Sequence, residues 1–248
     1  MLYISHVILI KPNRIGAVDI GSMQHIVPVA LAILFSIVII WYAHRSLNFK
    51  QQHVLFKWLG AIVSLTVFAF HGHLVFKGNY NLITDLPLFL CSFMALFIFI
   101  FTTTKNYLLF EILLFWIIAG TSQGVITPDI PKGFPSFDYF RYWIVHLGLL
   151  VIIFYAIFVF KMKPTWKSMF KAFLTLQCYM LFIFGVNYLL GANYSYLNSK
   201  PTSASALDYL GPWPMYIVVV EVFLIPYFML IYLPFFIAKN LNDRKLNS

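Results

Sequence analysis

Seven stretches of about 20 mostly apolar residues run through this chain, at 23–43, 55–73, 86–104, 107–125, 140–160, 169–190 and 214–237, and each is long enough to cross a bilayer. Hydrocarbon offers no water to satisfy the backbone, so continuous apolar runs of this length have to be helical. Composition supports this reading: 61% of the residues are hydrophobic and 10% are charged, whereas a water-facing domain carries about 25% charged residues. The 19% aromatic content excludes a disordered chain. Two cysteines, Cys91 and Cys178, are too few for a disulfide scaffold. The expectation is an all-α, polytopic membrane bundle of seven helices. A short segment, 1–22, precedes the helical domain, 23–237, and a basic tail, 238–248, follows it. The opening MLYISHVILI is cut short by Lys11 and Pro12. It is too short to span, has no basic leader or cleavage site, and reads as interfacial.

Charge sets the direction of crossing. Lys and Arg outnumber Asp and Glu by 17 to 8, an excess that marks cytoplasmic loops in a membrane protein. Membrane lipid is therefore the expected partner, and nucleic acid is not. With these crossings, eleven basic residues share one side and six the other. The richer side is cytoplasmic by rule, which places the amino terminus outside and the carboxyl terminus inside a plasma membrane. Asp19, Asp85, Asp129, Asp138 and Asp208 fall on the outer side and Asp243 on the inner.

Polar residues inside the spans are where chemistry is sought, because lipid penalises them. Glu221 lies in IVVVEVFLI, about 10 Å below the outer surface at 1.5 Å per residue. Cys91, His146 and Asn187 fall within about 5–10 Å of that surface. His71, His73, Gln123 and Asp129 lie at or just above the same level, while the inner halves hold little beyond Gln177 and Cys178. Such a layer suits a pocket facing the outer leaflet. Each member also has a packing explanation. His146 and Asn187 could bond between helices, Cys91 could pack as a small hydrophobe, and Asp129 could cap a turn after Pro128. Glu111, about one turn into the fourth span, could pair with Lys105. His71, His73 and Asp85 lack any metal-ligand spacing, so neither a metal nor another cofactor is expected.

Five strings on this outer layer carry a family resemblance: LPLFLCS at 86–92, GTSQGVITPD at 120–129, FRYWIVHLGLL at 140–150, NYLLGANYSYLNSKP at 187–201 and LDYLGPWPMYIVVVE at 207–221. Together they resemble the YwaF-type bacterial integral membrane proteins. Those are similar in turn to the eukaryotic transmembrane protein 164 group, whose members are ether-phospholipid acyltransferases. The resemblance runs from about 55 to 236 and implies a bundle with outward-facing functional residues. It matches His146 to the histidine of the fifth helix, Glu221 to the acid after GPWP, and Cys91 to the cysteine of a Leu-Pro-x-x-Leu-Cys motif. Phe89 stands where that pattern has a histidine, and Leu88 where the eukaryotic proteins carry their cysteine.

Three functions fit these residues. In a lipid acyltransferase Cys91 would attack, His146 would take its proton, and Glu221 or Asn187 would orient the ring. Gln123, Asp129, Asn187 and Tyr142, which lies one turn before His146, would bind substrate. In a small transporter or receptor, His146 and Glu221 would form an intramembrane pair. In a non-catalytic scaffold every polar contact would be structural. Glu221 is expected to contact at least one polar partner within the bundle, with His146, Asn187 or a Tyr such as Tyr142 first in line.

Overall fold

The structure, a computed structural model, describes residues 17–201 and 205–246; most of the amino-terminal segment, with its interfacial reading, lies outside them. Seven helices follow in order: α1 (Met23–Ser46), α2 (Phe49–Phe76), α3 (Leu90–Thr104), α4 (Tyr107–Ile126), α5 (Phe137–Phe158), α6 (Trp166–Leu190) and α7 (Met215–Leu246). Six are long and apolar enough to cross a membrane. The shorter α3, with 15 residues, rises only about 22 Å.

Non-helical chain leads into it. Residues 86–89 precede α3 without helix, bent at 86, 87 and 89, and Leu88 N donates to Leu86 O at 2.7 Å. The helix expected from 86 therefore begins at Leu90. Pro87 disfavours helical backbone at Leu86, and Phe89 itself is extended (φ −73°, ψ 139°). The Leu88 carbonyl freed by this change accepts from the Tyr179 hydroxyl at 2.7 Å, so it is not abandoned in lipid. The consequence is local and chemical: Cys91 becomes the second residue of a helix rather than an interior one.

The two ends of the bundle differ. At one end α1–α2 and α3–α4 are joined by residues 47–48 and 105–106 alone. Asn48 starts α2 by accepting from Gln51 N at 3.0 Å, and the Gln51 side chain accepts from Asn48 N at 2.9 Å. Lys105 closes α3 in the left-handed region at φ 50°. At the other end the longer loops lock together: Tyr194 Oη donates to Leu82 O at 2.8 Å and accepts from Leu86 N at 3.0 Å. Val18 N donates to Ile130 O at 3.1 Å on the same end.

α5 is the central helix. Of its apolar window 56% is buried, against 11% for α1 and 17% for α7. α1 packs on α5, while α7 packs on α6 and on the middle of α4. Glu111 staples α4 to the start of α6, accepting from Lys171 Nζ at 2.5 Å and Ser168 Oγ at 2.6 Å. Its cation is thus Lys171, not Lys105, because α4 faces α6 at this depth.

Candidate functional site

α4 is not a uniform helix. Between Ile117 and Thr121 it makes a π-helical turn, a widening frequent at functional sites. The turn leads into GTSQG (120–124), which lies against α3 and α5. A Cβ at Gly120 would meet Leu90 Cδ2 at 3.0 Å, and one at Gly124 would meet His146 Nε2 at 2.8 Å. Both glycines are small because neighbouring helices fill the space a side chain would need. Thr121, fully buried, turns its hydroxyl to Cys91 Sγ at 3.7 Å.

Cys91 and His146 stand on either side of this segment. Phe89, the N-cap of α3, makes no side-chain cap. The first-turn N–H groups, Cys91's among them, therefore lie at the positive end of the helix dipole without a side-chain cap. Tyr179 Oη donates to Leu88 O at 2.7 Å, three residues before Cys91. His146 Nδ1 is 2.8 Å from Tyr142 O. A carbonyl can only accept, so Nδ1 carries the hydrogen, and the lone pair of the neutral ring lies on Nε2, toward Gly124. The imidazole stacks on the Tyr142 ring with 3.9 Å between centroids.

The loops above close over this layer. Tyr142 Oη donates to Gly124 O at 2.7 Å and accepts from Asp129 N at 3.3 Å. Tyr196 Oη donates to Asp129 Oδ2 at 3.3 Å, and its ring packs on Phe89. Ser195 and Tyr196 both have φ 55°, a left-handed conformation that costs about 1–3 kcal/mol per residue and recurs at ligand clamps. Tyr216 Oη holds the strained turn by donating to Tyr196 O at 2.5 Å.

The structure thus brings Cys91, His146, Tyr142 and Asp129 into one connected cluster, with Thr121, Gly124, Tyr179 and Tyr196 as further members. The two glycines of GTSQG, four residues apart, were the sequence signal for that docking face. No hydrogen bond joins Cys91 directly to His146; Thr121 holds the thiol. Glu221 lies elsewhere. Its carboxylate accepts from Gln177 Nε2 at 2.7 Å on the α6–α7 seam, not from His146, Asn187 or Tyr142. The His146–Glu221 pair of a transporter therefore does not form. Asn187 is consumed by the loop it supports, donating to Tyr194 O at 3.0 Å and accepting from Tyr194 N at 2.8 Å. Gln123 is exposed on the outside of α4.

Fold and cluster together define a polytopic helical membrane protein with a thiol, an imidazole and tyrosines gathered at one end of its bundle. Comparison with protein families then places it: the chain belongs to the TMEM164 family, whose pattern matches residues 20–232. No curated protein and no solved structure matches it.

Proposed function

We propose that the chain transfers acyl groups between membrane lipids at the outer leaflet, with Cys91 as nucleophile and His146 as base. The observation that carries this reading is the pairing of two features on one level. Cys91 sits at an uncapped helix start, and His146 keeps its Nε2 lone pair toward the adjoining GTSQG segment. Family membership supports it, since the resembling eukaryotic proteins are acyltransferases. The outer-leaflet assignment rests on the eleven-to-six division of basic residues between the two ends.

The chemistry follows from these positions. Cys91 Sγ turns from Thr121 and attacks the ester carbonyl of a donor phospholipid. A carbon–sulfur bond forms as the ester carbon–oxygen bond breaks. The thiol proton passes to His146 Nε2 and then to the departing lysolipid oxygen. An acceptor hydroxyl next gives its proton to Nε2 and attacks the thioester, and the sulfur regains its proton. Open N–H groups at the start of α3 stabilise the oxyanion in both halves, as helix N-termini do. Asp129 and Tyr142 line the substrate side.

The test uses purified protein in vesicles of diacyl phospholipid with a lysophospholipid acceptor, followed by lipid mass spectrometry. Acyl exchange by the wild-type chain, lost in both Cys91→Ser and His146→Ala, is the expected result. Full exchange by Cys91→Ser with none by His146→Ala would demote the thiol to packing and leave histidine-assisted direct transfer. No exchange by the wild-type chain overturns the proposal.

A further inference from the structure

The opposite end of the bundle carries a second arrangement that acyl transfer does not use. Lys105 sits in the two-residue link between α3 and α4, its ammonium 4.3 Å from the Phe49 ring centroid and 4.9 Å from that of Phe160. Two aromatic faces, one from the first residue of α2 and one from the connection after α5, thus fix one cation in place. The His53 ring lies 3.0 Å from Thr103 O, two residues before Lys105, and Lys57, exposed one turn further along α2, adds its charge beside it. Burial first, and the Lys57 charge second, lower the pKa of Lys105 below the usual lysine range.

Among the described residues no carboxylate pairs with either ammonium. The ion pairs among the described residues are Arg141–Asp138 and Lys171–Glu111, and neither involves Lys57 or Lys105. Two further lysines lie in the adjoining connection between α5 and α6. Lys161 follows Phe160 in a left-handed turn, φ 57°, and the Lys163 carbonyl accepts from the Tyr107 hydroxyl at the start of α4. That helix presents its positive dipole end two residues after Lys105. The clamp also opens toward lipid, since Phe49 is 66% exposed and Trp58, beside Lys57, is 62% exposed. Aromatic side chains at this level mark the headgroup boundary.

We propose that Lys57 and Lys105 bind the phosphate of an acidic phospholipid headgroup, with the acyl chains lying along the exposed face of α2. A phosphate is the ligand of fitting chemistry: anionic, rich in acceptors, and present at the depth where two unpaired ammonium groups meet the bilayer edge. Basic pockets between membrane helices take headgroups in this way.

The experiment is native mass spectrometry of the full chain in detergent with equal phosphatidylglycerol and phosphatidylcholine. The wild-type chain should retain the acidic lipid about tenfold over the zwitterionic one. Lys57→Gln with Lys105→Gln should abolish that preference. Lys57→Arg with Lys105→Arg should keep it, which separates lost charge from lost fold. Lys77→Gln with Lys132→Gln removes equal charge from the other end and should also keep it. A wild-type chain without preference, or a Gln pair that retains it, overturns the site. Displacement of the bound lipid by 10 mM inorganic phosphate, roughly the scale of weak free-anion binding, would also overturn it, because the site would then take phosphate and not lipid.

Discussion

A methyl group added at Gly124 would lie 2.8 Å from His146 Nε2 and 3.2 Å from the Tyr142 hydroxyl. Both neighbours are buried and held by hydrogen bonds, so neither can yield freely. Gly124→Ala should therefore destabilise the chain by about 1–3 kcal/mol, the usual cost of overpacking, and abolish acyl exchange by turning His146. Gly72→Ala and Gly185→Ala, where a Cβ would meet nothing within 4 Å, should leave thermal unfolding unchanged. Melting of the purified proteins checks all three. At this scale the sequence singled out Cys91 and His146, and the structure sets both against the GTSQG segment. The sequence was less legible for Thr121 and Gly124, whose types are ordinary in membrane helices. It misled for Glu221 and Asn187. Counting residues gives depth along a helix but not which neighbour the side chain meets: Glu221 found Gln177 on the α6–α7 seam, and Asn187 found the loop that follows its own helix.

Among the elements, α3 shows how one proline sets the chemistry available to a cysteine. With Pro87 replaced by Ala, the backbone at Leu86 is free to become helical, and α3 can grow back toward Asp85. Cys91 would then lie inside the helix, its N–H bonded and the dipole end moved a turn away. Pro87→Ala should slow alkylation of Cys91 by a membrane-permeant maleimide about two- to fivefold, the range that a helix-terminus contribution of about 0.3–1 kcal/mol allows. An unchanged rate would separate the thiol's reactivity from the helix start. The expected spans met the observed helices closely because hydrophobicity must persist wherever lipid surrounds the chain. The start of α3 and the π-helical turn escaped that logic: both are settled by how neighbours receive a freed carbonyl or an extra residue, and hydropathy carries no trace of either.

For the whole molecule, the division of basic residues makes orientation testable. In cells expressing single-cysteine variants, Lys200→Cys should react with an impermeant thiol reagent and Lys163→Cys should not. The reverse pattern would turn the bundle over and move the proposed site to the inner leaflet. The staple at Glu111 has a different consequence, one for biogenesis. Its cation, Lys171, comes 60 residues later in the chain, about 3–12 s of synthesis at 5–20 residues per second. Through that interval the nascent α4 carries an acid whose ammonium partner does not yet exist. Retention of this helix beside the insertion machinery until α6 emerges would spare the acid from lipid, so the order of translation and the order of stable insertion need not coincide.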